Sequence, residues 1–243
     1  MPEVHTLFFA LLIVYCGALT QGLIGFGLAI VASPLLYLID PTMVPVPVIF
    51  MGFTIACLTL LKSKQHLEFK GLTFALLGRI PGGILGTFLL LMAPKPILGL
   101  IIGSIVALAV GLNKLKFHCP INRFSLFIAG VLSGIFGNVA AIGGPPMALL
   151  FANKEANQFR AALSAFFIFS SLISIVILGI AGLITFHHLI TALLLLPAVL
   201  LGHLTAKKLA KHTNKNTIRT ATHILCTVSA LIIIIESLIE LNR

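Results

Sequence analysis

The sequence predicts an all-α polytopic membrane protein made of two inverted-topology repeats, each a broken, re-entrant helical hairpin followed by three transmembrane helices. Three observations predict it. Of the 243 residues 59% are hydrophobic and only 9% charged, and apolar runs able to cross a hydrocarbon core of about 30 Å recur from end to end. Two of these segments are interrupted by glycine and proline and resemble each other residue by residue. The basic residues collect on one side of the membrane only if both interrupted segments turn back.

The first interrupted segment, 4–39, is too long for one ordinary span, and QGLIGFG divides it into arms at roughly 4–22 and 27–39. The first of these arms is long enough to be a complete span. No basic residue precedes Val4 and no small-residue cleavage site follows the run, so a removable signal peptide is not expected. Long apolar helices are predicted at 43–61, 71–92 and 96–112, parted by KSKQHLEFK and APKP. The second interrupted segment, 124–151, contains LSGIFGNVAAIGGPPMALL. Its arms, 124–137 and 139–151, reach about 20 Å each at 1.5 Å per residue, too short to cross comfortably, with Asn138 at the turn. Three more helices, at 161–182, 187–206 and 218–240, are parted by ANKEANQFR and bounded by KKLAKHTNKNTIR.

Laying Ala18–Leu38 over Gly130–Leu150 without a gap pairs Gly22 with Gly134, Gly25 with Gly137, Ala29 with Ala141, Ile30 with Ile142 and Pro34 with Pro146. Downstream, Pro81 and Gly86 match Pro197 and Gly202 at the same spacing. The chain therefore reads as one transmembrane domain, 1–243, holding a duplication: repeat 1 at about 4–112, a cytoplasmic linker at 113–123 and repeat 2 at about 124–240.

Charge decides the topology. If each interrupted segment crosses once, the lysines and arginines divide almost evenly between the two sides, against the positive-inside tendency. If each turns back, the basic loops 62–70, 113–123, 153–160 and 207–219 all face the cytoplasm, and only Lys95 and Arg243 lie outside. A hairpin plus three crossings is an odd count, so the second copy is upside down. Both termini are then expected outside a plasma membrane, the bacterial inner membrane. This topology also accounts for a net charge of +10 without a nucleic-acid partner.

Non-helical backbone at membrane depth is tolerated only where protein or a water-filled cavity covers it. Paired breaks in corresponding halves point to a transporter's central site, with Gly25, Phe26 and Gly27 on one wall and Asn138, Gly143, Gly144 and Pro145 on the other. Gly22, Pro34, Pro81, Gly134, Gly137, Pro146 and Pro197 are the predicted hinges and helix breaks. The outgoing arm begins near Pro145 and Pro146, and its free N–H groups and positive dipole end suit an anion. The competing reading of Gly22, Gly25, Gly134 and Gly137 is close helix packing. Asn138 either offers its amide to a ligand or caps the backbone. Arg79, some nine positions into its helix, faces a substrate anion or the carbonyls of a broken hairpin, with snorkelling as a third reading.

Other chemistry finds little support. Cys16, Cys57, Cys119 and Cys226 are scattered singly, His187 and His188 form a loop pair, and no metal-binding spacing or cofactor fingerprint occurs. Ser133 has no nearby histidine and acid, so an enzyme is not expected. Asp40, Glu236 and Glu240 lie near helix ends, where water reaches them. The implied partners are a small anion and the lipid bilayer. Lipid-facing and subunit-facing apolar surfaces share one composition, so no oligomeric state is predicted.

QGLIGFGLAIVASPLL, GVLSGIFGNVAAIGGPPMALL, RIPGGILGTFL and FRAALSAFF together resemble the sulfite exporter TauE/SafE family, across essentially the whole chain. The first motif departs from the more glycine-rich form, with Leu28 and Ala29 after GFG. The resemblance implies a transporter, commonly an exporter, of small anions such as sulfite, sulfoacetate or related sulfur oxyanions and sulfonates. Sulfur rests on the resemblance alone. An anion channel or a carboxylate transporter on the same scaffold are the alternatives, and alternating access around a midplane pocket is the expected mechanism.

Overall fold

The computed structural model describes residues 4–63, 65, 72–114, 120–209 and 215–242. Among them the regular structure is helical throughout: α1 (Val4–Ile24), α2 (Leu28–Ile39), α3 (Val46–Ser63), α4 (Leu72–Met92), α5 (Lys95–Lys114), α6 (Arg123–Ala140), α7 (Gly144–Phe151), α8 (Ala156–Ile180), α9 (Phe186–Leu209) and α10 (Lys215–Leu241). A 3₁₀ turn, Pro41–Met43, leads into α3, and Asp40 caps it by accepting from the Thr42 backbone N–H at 2.9 Å. Seven helices are long and apolar enough to cross a membrane. Much of the topological charge pattern, at 62–70, 113–123 and 207–219, falls partly on residues outside the described set.

Both predicted interruptions are present. Between α1 and α2 the chain turns at Gly25 and Gly27, whose φ angles of 105° and 132° strain any side chain with a Cβ. The second break falls later than expected. The helix runs through Asn138 to Ala140 and stops only at Ala141, which adopts the left-handed conformation with φ 59°. The Ile142 N–H then reaches back to the Phe136 carbonyl at 3.2 Å, closing the end of α6. This corrects the predicted pair of equal short arms: α6 has 18 residues, about 27 Å at 1.5 Å per residue, while α7 has only 8. A helix passes through Asn138 because its amide is used sideways, on α4 and α8, and leaves the backbone ladder intact.

The halves interlock by exchange. α1 packs along α9 and α6 along α4; α3 packs on α8 and α5 on α10; the short arm α2 rests on α10 and the short arm α7 on α5. Swapping the first five helices for the last five maps each of these pairs onto a pair of the same set. The core follows the same rule, with one apolar cluster drawn from α1, α2, α3 and α9 and another from α6, α7, α8 and α4.

Several residues predicted as hinges lie instead inside continuous helices. Gly22 is in α1, Pro34 in α2, Pro81 in α4, Gly134 and Gly137 in α6, and Pro197 in α9. Pro146 lies in the first turn of α7. The glycines are there for close approach. A Cβ on Gly134 would lie 2.5 Å from the Gly82 carbonyl carbon, and one on Gly86 would lie 2.8 Å from the Ile135 oxygen. Gly78, Gly82 and Gly130 meet backbone atoms of the facing helix in the same way, so α4 and α6 touch along their backbones. The prolines persist within helices because packed neighbours can satisfy the carbonyls they free.

Candidate functional site

The two breaks border one cavity of about 60 Å³. Phe26 and Gly27 come from the first break, and Ala141, Ile142, Gly143 and Gly144 from the second. Helix α3 adds the apolar residues Val48 and Ile49, and α8 adds Phe167 with Ser170, Ser171 and Ser174. The second break approaches the cavity closely where Gly143 and Gly144 carry no side chains. A Cβ on Gly144 would sit 3.1 Å from the Phe167 ring, and one on Gly143 would sit 2.8 Å from Ser133 Oγ.

Arg79 also lines the cavity, and it is only 2% exposed. Its guanidinium lies against Gly137, where any Cβ would collide with it. Nη1 donates to the Ser133 carbonyl; Nη2 donates to Ser174 Oγ at 2.6 Å and, more weakly, to Asn138 Oδ1 at 3.4 Å. All three acceptors are neutral. Nε has no partner. A guanidinium carries five N–H donors, so Nε–H and one hydrogen on Nη1 are left without an acceptor among the described residues.

Asn138 is fully occupied in holding this group. Its Nδ2 donates to the Gly83 carbonyl at 3.0 Å and to Thr87 Oγ1 at 2.9 Å, both on α4. Its Oδ1 accepts from Ser174 Oγ at 2.6 Å as well as from Arg79. It neither caps the break nor has a spare donor: it ties α4, α6 and α8 together around Arg79. Two further bonds brace the breaks themselves. The Leu28 N–H, at the start of α2, donates to Gln21 Oε1 at 3.0 Å, and Ser133 Oγ donates to the Gly143 carbonyl at 2.5 Å. Gln21 and Ser133 are equivalent positions in the gapless alignment of the two halves.

Of the residues expected to form the walls, Phe26, Gly27, Arg79, Gly143 and Gly144 border the cavity. Gly25 faces elsewhere, with Arg160 Cγ 2.9 Å from where its Cβ would be. Pro145 is buried in the first turn of α7, and with Pro146 it removes two N–H donors from that helix start. The outgoing arm is therefore poorer in donors than its position suggests. Gln21 and the three serines of α8 were not anticipated. A signal for the serines exists: Ser170 and Ser174 recur at helical spacing in an otherwise apolar stretch, which puts both hydroxyls on one face.

The sequence model of the family described as "Sulfite exporter TauE/SafE" matches residues 9–233. No curated protein and no solved structure matches the chain.

Proposed function

Because the chain belongs to the sulfite exporter TauE/SafE family, whose members are integral membrane transporters, we propose that it exports a small sulfur oxyanion or organosulfonate, such as sulfite or sulfoacetate, through the cavity between its two breaks. One observation carries this reading. A fully buried arginine, held only by neutral acceptors and with donors to spare, borders a cavity formed by two interrupted helices. A buried cation is costly unless it is used, and an anion entering the cavity would supply the missing counter-charge.

In this mechanism Arg79 is the principal binding group. Gly27, Gly143 and Gly144 keep the walls thin enough for backbone to meet the ligand, and Phe26 closes the apolar side. The exchange-related packing of the helices supports two inverted repeats, about 4–112 and 124–240, within one transporter domain. Both termini lie on the outer side of the membrane, and the basic loops face the cytoplasm. Rocking of one set of packed helices against the other exposes the cavity to each side in turn.

Uptake into proteoliposomes across sulfite, thiosulfate, sulfoacetate, taurine, sulfate and a carboxylate tests the proposal, with Arg79→Gln alongside the wild type. Saturable movement of a sulfur anion, lost in Arg79→Gln, is the expected result. Uphill exchange separates a transporter from a channel. If no anion moves through folded protein the substrate class falls, and if the variant equals the wild type Arg79 is structural.

A further inference from the structure

Resting on that assignment of the site, we propose that the cavity selects anions carrying a single negative charge and discriminates against dianions, so that of the two candidates named above sulfite, as hydrogensulfite, is favoured over sulfoacetate, which carries two charges at neutral pH. Fixed charge can be counted group by group. Among the described residues, Arg79 is the one ionisable side chain bordering the cavity. The described acids are elsewhere: Asp40 caps the 3₁₀ turn before α3, Glu155 is exposed before α8, and Glu236 and Glu240 are exposed near the end of α10. Arg160, the nearest other described cation to the first break, is committed to the Leu23 carbonyl at 2.8 Å and packs behind Gly25.

Helix dipoles do not alter the sum. At each break a helix ends and another begins, α1 before α2 and α6 before α7. The roughly −0.5 and +0.5 charges at such paired ends offset one another. At the second break the positive end is weakened further, because Pro145 and Pro146 contribute no N–H. The site therefore carries a net charge of about +1, set by Arg79.

A monoanion brings the cavity to neutrality. A dianion leaves one uncompensated negative charge among Val48, Ile49, Ile142 and Phe167, where burial of an unpaired charge is heavily disfavoured. Donor supply points the same way. The two uncommitted guanidinium hydrogens and the hydroxyls of Ser170 and Ser171 can satisfy one oxyanion group but provide no second cation.

Methanesulfonate and sulfate make the test, since they share a tetrahedral shape and differ in one charge. Initial rates of ³⁵S-labelled methanesulfonate and ³⁵S-labelled sulfate are measured separately in proteoliposomes of the full chain. The wild type is expected to show a kcat/KM at least tenfold higher for methanesulfonate, a preference kept by Arg79→Lys and lost with overall transport in Arg79→Gln. Arg79-dependent movement of sulfate at an equal or greater rate overturns the charge selectivity and leaves the transport site standing. Movement of neither anion, or a preference untouched in Arg79→Gln, overturns the site and the selectivity together. Size-exclusion profiles establish that each variant is folded, and Arg79→Lys keeps the comparison decisive if Arg79→Gln is not.

Discussion

Replacing Asn138 with aspartate changes the charge beside Arg79 while changing almost nothing in shape. The Asn138 oxygen already lies 3.4 Å from Arg79 Nη2 and 2.6 Å from Ser174 Oγ, so a carboxylate there inherits two donors. At an effective dielectric constant of about 20, its attraction to the guanidinium is about 5 kcal/mol, enough to keep the new acid ionised. Two donations to α4 are lost, to the Gly83 carbonyl and to Thr87, but the Thr87 hydroxyl can turn and donate to the new oxygen. The fold should therefore survive, with the site reduced from one positive charge to none. For an anion about 7 Å from the carboxylate, the repulsion at the same dielectric constant is about 2.4 kcal/mol, which would weaken its binding about 60-fold. Competition assays in proteoliposomes with methanesulfonate measure this directly. Asn138→Leu is the companion: it removes the two donations to α4 and the acceptor for Arg79 and Ser174 as well, without adding charge, so a greater loss in the aspartate variant is electrostatic. Wild-type affinity in Asn138→Asp would refute the placement of the anion beside Arg79.

Four further substitutions separate the site from its frame. Gly144→Leu should leave protein in the membrane and reduce uptake by more than about 100-fold, since even a Cβ there lies 3.1 Å from Phe167 and the rest of the side chain must enter the cavity. Ser174→Ala removes the 2.6 Å acceptor of Arg79 and should lower kcat/KM about tenfold, with the effect largely absent from a background already carrying Arg79→Gln. Gly82→Ala puts a Cβ onto the Val131 backbone and should cost about 1–3 kcal/mol or more of stability, read as a lower melting temperature in detergent, whereas Gly52→Ala, with open space around it, should melt like the wild type.

The architecture was legible because its causes are local. Apolar length fixes a membrane helix, and Gly25 and Gly27 adopt φ angles that strain other residues, so the first break could be found to within a residue or two. The second break was misplaced by about one helical turn. The alignment of the halves sets Gly25–Gly27 against Gly137–Val139, but there the glycine accommodates the Arg79 guanidinium and Asn138 bonds sideways to α4. Both are tertiary contacts between residues more than fifty positions apart, and no pattern along the chain announces them. The same holds for Ser174, whose partners are on α4 and α6. Arg79 was conspicuous by its depth, and of the partners weighed for it the structure shows a backbone carbonyl, that of Ser133. Ser174 and Asn138 take Nη2, and Nε has no partner.

The exchange of partners between the halves also governs how the chain is made. Helix α1 lies along α9, so about 160 residues must be synthesised after α1 ends before α9 begins, on the order of 8–30 s at common translation rates. Helix α4 carries Arg79 into the bilayer about 30 residues ahead of α6, which supplies Ser133 and Asn138; on the same scale that delay is roughly 2–6 s. During that interval the guanidinium has lipid, water and the carbonyls of its own helix for company. Keeping the first half inserted but unpaired falls to the insertion machinery, and the long seams of the structure can close only after most of the chain has left the ribosome.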